Sequence, residues 1–407
     1  RSHFSFDRRW INQHFRASRS SSNSESELDY IFLNSVNFEA EGCLPNIVIM
    51  GLTARNIITY IILAVVIDQV ARIIYSLGLH KTIFTHHPGI CRALPGIENG
   101  SEDIVTSSNG LAFISSGNLK ELEPDQGILG QVFLFDFNHP DLDPINIQII
   151  GIDKAAWIPV GMDIWESGPK DNPKLSLYVV NKQPDSIGIE VFDFSYKNKV
   201  PTLTHQRRIH HKNIWSPNDV VLVDENRFYT TNDAYLPPPI DILEVIFQLT
   251  YGSVAYYDGR GARIVAKGLK LANGVNLSPN KKLLYVASYI GQELFIYRVQ
   301  SDGNLEQAKV IPLSTIPDNI DVDKDDGSLW IGCGFATHHF FNQCGKVTGV
   351  GQVLNIQLDK ELNPTIREVF ADDTGMIRLS SVACRYGNAM LIGTVVDKAA
   401  YCEGITY

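Results

Sequence analysis

A short phrase that recurs six times along the chain constrains its fold more than any other feature. Each copy has a small or Asx residue, an alternating apolar run, a polar turn and a second apolar run. Alternation with a period of two is typical of half-buried β-strands, and little helical periodicity occurs beyond Pro95. The copies begin at Asn109, Val160, Asn218, Leu271, Asp318 and Ser380.

The spacing of these copies, roughly 45 to 60 residues, is close to the blade length of β-propellers made from four-stranded sheets. Each blade of such a ring buries its faces only against its neighbours, so the first and last blades must meet. We therefore predict an all-β fold, a six-bladed β-propeller over residues 90–407, preceded by an N-terminal hydrophobic helix. One helical patch is expected within the propeller, at Ile240–Leu249 after three prolines.

The first 82 residues differ in texture from the repeats. Residues 1–49 contain the polar run Ser18–Glu27 and are predicted to be disordered or a non-native upstream segment, because Met50 is the first methionine. Residues 50–82 are predicted to form a signal anchor or transmembrane helix around the charge-free run Ile57–Ile67. That run is short for a span of about 20 residues, so a buried core helix remains the alternative.

This N-terminal segment also predicts a location. Arg55 and the arginines farther upstream would keep the N-terminus on the cytoplasmic side of a membrane. We expect a protein of the secretory pathway, either secreted or held at a membrane or lipid surface by this segment, with the propeller in the ER lumen or outside the cell. Asn99, in Asn99-Gly100-Ser101, is then a candidate glycosylation acceptor.

Charge and cysteine content narrow the classes of partner and metal. The formal net charge of −10 and the lack of a basic run with interleaved aromatics argue against nucleic acid as a partner. An excess of acid suits a cation binder, although a soluble acidic surface is the commoner cause. The six cysteines include no C-x-x-C pair and no zinc spacing. Cys91 and Cys402 bracket nearly all of the repeats. In an oxidising compartment, a disulfide between them would close the ring and stabilise the folded state on the order of 4 to 5 kcal/mol by constraining the unfolded chain.

The Asx residues that open the repeats suggest a cation site. The first strand of each propeller blade starts near the central axis, so oxygens at these positions converge. Calcium requires hard oxygen ligands, about six to eight of them. For a single Asx pair, turn formation is the commoner role, but here the pairs precede the alternating runs instead of lying between two runs. The candidate ligands are Asn218, Asp219, Asn273, Asp318 and Asn319, with Glu102 and Asp103 at the start of the first blade.

Collinear stretches from about Cys91 to Cys402 carry a family resemblance. They read G-I-E-N-G-S-E-D from Gly96, N-G-L-A-F-I-S-S-G from Asn109, N-D-V-V-L-V from Asn218, F-Y-T-T-N-D from Phe228, A-N-G-V-N-L-S-P from Ala272, D-N-I-D-V-D from Asp318 and L-I-G-T-V-V-D-K-A-A-Y-C from Leu391. Together they resemble the serum paraoxonase/arylesterase family. The resemblance implies a six-bladed propeller with two calcium ions in its central tunnel.

The resemblance also implies ligands, position by position. An upper, catalytic calcium would be held by Glu102, Asn218, Asn273, Asp318 and Asn319. A deeper, structural calcium would be held by Asp103, Asp219 and the backbone carbonyl of Met162. Cys91 and Cys402 occupy the family's disulfide positions, and Cys333 stands where the family has a free cysteine.

The activity that the resemblance implies is calcium-dependent hydrolysis of aryl esters and lactones. The catalytic calcium acts as a Lewis acid in that chemistry, and a water or hydroxide attacks the polarised carbonyl. Of its ligands, Asp318 and Asn218 are the two expected to take part in catalysis, with the Asp318 carboxylate assisting the attack.

The chain departs from the family at four histidine positions. The family's general base aligns with Val160 and its partner with Lys182, and two further active-site histidines align with Ala234 and Gly334. Valine cannot accept a proton, so we expect reduced or altered activity that depends on the metal. His338 and His339 lie near the same loop and could substitute, although an adjacent pair on a loop is more often solvent-exposed.

A second hypothesis keeps the calcium scaffold without the catalysis. Some invertebrate paraoxonase-like proteins resemble assembly factors for ion channels, so the chain could be a membrane-anchored chaperone or accessory subunit with a membrane-protein client. The lost histidines favour this alternative. The complete upper ligand set favours the hydrolase, which is the prediction adopted.

Overall fold

The computed structural model describes residues 54–76, 78, 80–117, 128–169, 173–237, 239–335, 349–396 and 398–406. Six sheets, all within the compact unit Ile57–Tyr407, make up most of this part of the chain. The innermost strand of each sheet contacts the innermost strands of the sheets before and after it, including the sixth with the first. The sheets therefore close into a ring, and the predicted six-bladed propeller is confirmed.

Each blade is a four-stranded antiparallel sheet that the chain builds outward from the axis, and blade 2 has a fifth, parallel strand at its outer edge. Blade 1 contains β2 (Ile104–Thr106), β3 (Leu111–Ser116), β4 (Gln131–Asp136) and β5 (Ile145–Asn146); blade 2 contains β6 (Gln148–Ile150), β7 (Pro159–Ser167), β8 (Lys174–Asn181), β9 (Gly188–Lys197) and β10 (Val200–Ile209); blade 3 contains β11 (Pro217–Leu222), β12 (Phe228–Asn232), β13 (Gly252–Tyr257) and β14 (Ala262–Leu269).

The second half of the ring follows the same plan. Blade 4 contains β15 (Ala272–Leu277), β16 (Leu283–Ser288), β17 (Glu293–Val299) and β18 (Leu305–Pro312); blade 5 contains β19 (Ile316–Val322), β20 (Leu329–Phe335), β21 (Val350–Leu358) and β22 (Pro364–Asp372); blade 6 contains β23 (Ser380–Tyr386), β24 (Ala389–Thr394), β25 (Ala400–Glu403) and, from the N-terminal side, β1 (Ile90–Ala93).

The core lies between the blades. Six clusters of buried apolar side chains are present, one at each interface between successive blades. Trp157, for example, packs edge-on against Phe192 with 5.4 Å between ring centroids. The alternating pattern of the strands supplies these residues, since one face of each blade meets the preceding blade and the other face the next.

Blade 6 is closed by strand β1, which comes from the other end of the chain. Ile90–Ala93 pairs antiparallel with β25 and places Cys91 directly opposite Cys402. The two cysteines form a disulfide with their Cα atoms 4.1 Å apart. The predicted end-to-end bridge is confirmed. Cys333 and Cys384 are free and buried.

Two α-helices accompany the sheets in the described part of the chain. The helix α1 (Ala54–Ser76) is longer than the expected charge-free run, because Arg72 pairs with Asp68 one turn earlier at 2.7 Å and so continues the helix. Residues 55–75 have a mean hydropathy of 2.1 and no buried residue in the most apolar window, so by length and composition this helix is a candidate membrane span. A buried core helix would not be exposed in this way. The short α2 (Ile242–Ile246) lies within the apolar patch predicted after the prolines.

Several sequence predictions lie outside the described residues. They concern the segment 1–49, Met50, and the adjacent pair His338 and His339.

The pairing of β1 with β25 predicts that the disulfide contributes strongly to stability. We expect the double replacement Cys91→Ser with Cys402→Ser to lower the free energy of unfolding by about 2 to 5 kcal/mol, because the reduced chain gains a very long open loop on unfolding. Urea unfolding followed by tryptophan fluorescence measures this change. The wild-type protein under reducing conditions is the matched control and should behave alike; an unchanged urea midpoint in both would show that β1 closes the ring without the bridge.

Candidate metal centre

The same irregularity occurs at the start of the inner strand in blades 2 to 5. At this point two residues of the inner strand stand opposite a single residue of the next strand, which is a β-bulge. A bulge re-aims side chains, so two consecutive residues can both reach the axis instead of alternating between faces. The bulged pairs are Val160–Gly161, Asn218–Asp219, Asn273–Gly274 and Asp318–Asn319.

Glycine in two of these pairs allows the neighbouring blade to approach. A Cβ added at Gly161 would lie 2.5 Å from both the Cα and Oδ1 of Asp219, and one at Gly274 would lie 2.5 Å from the backbone oxygen of Asp318. Any side chain at either position would collide with an acidic residue of the next blade. The tight axis therefore requires Gly161 and Gly274.

Five oxygens at the upper level of the tunnel have no hydrogen-bond partner. Of ten buried side-chain atoms in this condition among the described residues, half belong to the predicted upper set. A buried polar atom without a partner costs about 1 to 3 kcal/mol, so five in one place indicate a missing positive charge. The atoms are Glu102 Oε2, Asn218 Oδ1, Asn273 Oδ1, Asp318 Oδ1 and Asn319 Oδ1.

Neighbouring hydrogen bonds account for the orientation of two of these amides. Asn319 Nδ2 donates to the backbone oxygen of Glu102 at 3.0 Å and to Glu102 Oε1 at 3.2 Å. Asn218 Nδ2 donates a long hydrogen bond of 3.5 Å to Asp233 Oδ2. In both cases the side-chain nitrogen donates to an acceptor, so the side-chain oxygen is available to bind a cation.

The two carboxylates in this upper set disfavour ionisation of one another. Burial raises the pKa of Glu102 well above its ordinary value, and the carboxylates of Asp318 and Asp103 raise it further. Burial raises the pKa of Asp318 to about 8, an effect that the Asn273 side chain partly offsets. Both acids would be ionised together at neutral pH only if a cation stood between them.

A second pair of carboxylates lies deeper, at the next residue of blades 1 and 3. Asp103 accepts hydrogen bonds from the N–H groups of Ile104 at 2.8 Å and Met162 at 2.7 Å. Asp219 accepts from Val220 and Val275, both at 2.7 Å. Burial nevertheless raises the pKa of Asp103 to about 7, and it raises that of Asp219 well above its ordinary value with help from Asp103.

These two levels hold the seven side chains of the predicted ligand sets, and Met162 lies beside the lower pair. The donors are carboxylate and amide oxygens, which suit calcium and not zinc or copper. No group of three or more His, Cys, Asp or Glu residues with metal-binding geometry occurs in the described ranges. That result agrees with the upper set, in which three of the five ligands are asparagines.

The four positions at which the family resemblance implies a histidine are filled in different ways. Val160 is buried in the apolar cluster between blades 2 and 3. Gly334 has little room, because an added Cβ would lie 3.0 Å from the Cα of Leu379. Ala234 offers only its backbone oxygen, which accepts from Trp215 Nε1 at 2.7 Å. Lys182 is the one ionisable replacement.

Lys182 forms a buried ion pair that the sequence did not predict. Its Nζ atom lies 2.5 Å from Asp233 Oδ2, and both side chains are largely buried. Burial opposes ionisation of Asp233, but Lys182 lowers the pKa of this carboxyl below its ordinary value, as do hydrogen bonds from Lys182 and Ser216. A neutralised pair therefore stands where the family has a histidine. The only signal for Asp233 was its place directly after β12, in the run F-Y-T-T-N-D.

A further tier of acids below the metal centre was also missed. Asp163 accepts from the N–H of Leu222 at 2.6 Å, and Asp321 accepts from that of Arg385 at 3.3 Å. Burial raises the pKa of each to about 6, against the effect of Lys324. Each of these hydrogen bonds joins one blade to the next, so these acids hold the ring together.

Comparison with known proteins gives a consistent result. Residues 83–404 match the arylesterase family. Serum paraoxonase/arylesterase 2 of Gallus gallus is 36% identical over 319 residues, which cover 77% of this chain and 88% of that protein. Serum paraoxonase/arylesterase 1 of Homo sapiens is 34% identical, with the same coverage, and serum paraoxonase/lactonase 3 of Homo sapiens is 33% identical, covering 78% and 89%.

Among solved structures, regucalcin of Agrobacterium tumefaciens, a calcium-binding protein, aligns with a TM-score of 0.49 and 11% identity, covering 79% of this chain and 95% of that one. No argument about the site is drawn from a likeness at that level. The sequence relatives and the family match carry the assignment. With a closed six-bladed ring and 322 consecutive residues matched, the chain belongs to the arylesterase family, as its sequence resemblance indicated.

Proposed function

We propose that this protein is a calcium-dependent hydrolase of aryl esters and lactones, with two calcium ions in its tunnel. The observation that carries the proposal is the set of five buried oxygens without hydrogen-bond partners at one level of the axis. Membership of the arylesterase family supplies the reaction class. The charge, chemistry and burial of the set fit a hard divalent cation.

The upper ion would be held by Glu102, Asn218, Asn273, Asp318 and Asn319, and the lower by Asp103, Asp219 and the carbonyl of Met162. When bound, the upper calcium would polarise the substrate carbonyl and stabilise the oxyanion. Asp318 is our candidate to accept a proton from an attacking water, because its Oδ1 makes no hydrogen bond to a described residue. Asn218 would hold its oxygen towards this cation while its nitrogen donates to Asp233. The apolar wall around Val160 would exclude water from one side of the site.

The alternative is a membrane-anchored chaperone or accessory subunit for membrane proteins. The replacement of the family's base by a buried valine favours it. Calcium would stabilise a non-catalytic ring by mass action as well, so calcium binding alone does not separate the two functions. A measurement of hydrolysis by the purified protein separates them.

We further propose that α1 anchors the protein in a membrane and that the propeller lies in the ER lumen or outside the cell. The exposed apolar helix supports the anchor, and the disulfide supports an oxidising compartment. Asn99 is half-buried next to Gly100 in the first blade. It stays our candidate for glycosylation.

The first prediction concerns the upper ligands. Replacing Asn273→Ala or Asp318→Asn should abolish calcium-dependent hydrolysis of an aromatic ester and an aliphatic lactone, because each removes a ligand oxygen or its charge. Ser380→Ala is the matched control, since Ser380 stands on the inner strand of blade 6 with its hydroxyl already bonded to the carbonyls of Cys333 and Gln352. Calorimetric calcium titration should show weaker binding for the first two variants and unchanged affinity for the control.

The same assays separate the two functions. Wild-type protein that binds calcium tightly but hydrolyses neither substrate, with or without a chelator, would leave the chaperone as the function. Hydrolysis that survives in both ligand variants would place the reaction elsewhere.

The second prediction concerns the missing base. Val160→His should raise the rate of ester hydrolysis by at least about 10-fold, since general-base catalysis contributes roughly 10² to 10⁴-fold where it operates. The control is Val160→Gln, which adds a polar side chain of similar reach without a base. Equal rates in the histidine and glutamine variants would mean that a proton acceptor at this position does not limit the reaction.

The third prediction concerns pH. In calcium-free protein the pKa values of Asp103 and Asp318 are about 7 and about 8, above the ordinary 3.8 of the unfolded chain. The folded state therefore holds protons that the unfolded state releases, so stability present below that ordinary value is lost as pH rises through 7 and 8. We expect the urea midpoint in chelator to fall across this range, and saturating calcium to remove the fall. Parallel profiles with and without calcium would contradict the assignment of these acids as ligands.

A further inference from the structure

A cavity of about 440 Å³ lies between blades 2 and 3, and none of its lining residues is among the proposed calcium ligands. One wall is the turn between β8 and β9, at Pro184–Ile187, and the other is the connection from β10 to β11, from Arg208 to Trp215. Both segments lie at the end of the ring where the inner strands begin, because Pro159 pairs with Asn181 and the inner strands of adjacent blades run side by side. The volume is within the range of small-ligand sites.

A buried acid fixes the arginine in the cavity wall. Arg208 Nε donates to Glu190 Oε1 at 2.5 Å, and Glu190 is fully buried. The same carboxylate accepts from Asn181 Nδ2 at 3.2 Å and lies 2.8 Å from His205 Nε2. Neither Nη atom of Arg208 has a partner among the described residues. The guanidinium is thus held at its Nε edge, with two donor groups left.

Two histidines in the wall are also fixed at one nitrogen each. His210 Nδ1 lies 3.1 Å from the carbonyl oxygen of Ile187, so this nitrogen carries the proton. His211 Nδ1 accepts from the N–H of Asn213 at 3.1 Å, so its proton is on Nε2. The Nε2 atoms of both rings make no hydrogen bond within the described part of the chain. His211 therefore offers a donor.

The indole of Trp215 gives the cavity an apolar side. Its Nε1 atom is occupied by the backbone oxygen of Ala234 at 2.7 Å, and its ring meets Tyr235 edge-on at 6.0 Å. A ring whose only polar atom is already bonded presents an apolar surface to a ligand.

The charges favour an anion. Arg208 and Lys212 line the cavity, and Lys212 has neither a hydrogen bond nor an ion pair with any described residue. Asp185 is the one acid in the lining, while the charge of Glu190 is shared between Arg208 and His205. Arginine with free Nη groups is the side chain best suited to bind carboxylate or phosphate with two parallel hydrogen bonds.

We propose that this cavity is a second ligand site, for a small organic anion that has a carboxylate or phosphate group on a flat apolar body. The anionic group lies against Arg208, His211 and Lys212, and the apolar body packs on Trp215. The site is independent of the hydrolysis proposed above and does not use the calcium ligands.

The test is calorimetric titration of the calcium-loaded full chain with benzoate, phenyl phosphate, inorganic phosphate and the neutral probe benzyl alcohol. At least one aromatic anion should bind more tightly than inorganic phosphate, and benzyl alcohol should not bind. Comparison of the two aromatic anions tells which acid the site prefers. Equal binding of the neutral probe, or no binding of either aromatic anion, would overturn the proposal.

Variants that remove either a donor or the acid from the cavity wall make the test specific. Lys212→Met and His211→Phe should each weaken anion binding by about 10-fold, since each removes a donor to a charged group. Asp185→Asn should strengthen it, by up to about fivefold. Lys267→Met, at an exposed lysine on the outer strand of blade 3, is the control and should have no effect.

Asp318→Asn locates the bound anion. Its upper metal ligand is altered but the cavity is not, so probe affinity should be unchanged. Loss of probe binding in Asp318→Asn with no change in Lys212→Met would place the anion on the tunnel calcium and overturn the proposal.

Discussion

Burial of ionisable oxygens on the axis of the ring is the constraint on which the rest of this structure depends. Glu102, Asp103, Asp219 and Asp318 are all buried, and each has a raised pKa. Such a cluster is unfavourable unless backbone N–H groups and a cation compensate it. The bulges and the N–H groups donated by the next blade supply the first kind of compensation. The unpartnered oxygens of the upper level mark where the second is required.

Closure of the ring is also required, because the axial oxygens converge only if all six blades meet. The apolar clusters between blades provide the packing, and the carboxylates of Asp103, Asp163 and Asp219 tie blades 1, 2 and 3 each to a backbone N–H of the next blade. Strand β1 then joins the two ends of the chain through Cys91 and Cys402. Packing, closure and the proposed metal ligation therefore involve the same inner strands, so a change to one is expected to affect the others.

The residues alone predicted the ring, because strand period and repeat spacing are local properties of the sequence, and the position of the Asx residues supplied the candidate ligand set. The first copy of the repeat was expected to begin at Asn109, but in the structure Asn109-Gly110 forms the turn between β2 and β3, with Gly110 at φ +85°. The inner strand of blade 1 is β2, and Glu102 and Asp103 precede it. The bulges, the Lys182–Asp233 pair and the cavity at Arg208 were not predictable. Each of them depends on contacts between segments tens of residues apart, and such contacts leave no periodic signal in the chain.

Val160 bears on the choice between a hydrolase and a scaffold. Its position shows that a residue in the bulge of an inner strand can be apolar and pack well between two blades. A ring that needed calcium only for stability could rely on the lower carboxylates, Asp103 and Asp219. Its upper level could then be filled with apolar residues such as Val160, which would remove the cost of five unpartnered oxygens. The upper level instead keeps an oxygen from each of five residues. A cation bound there with a role beyond holding the ring would account for that cost, and polarising a substrate carbonyl is the role that the proposed hydrolysis gives it.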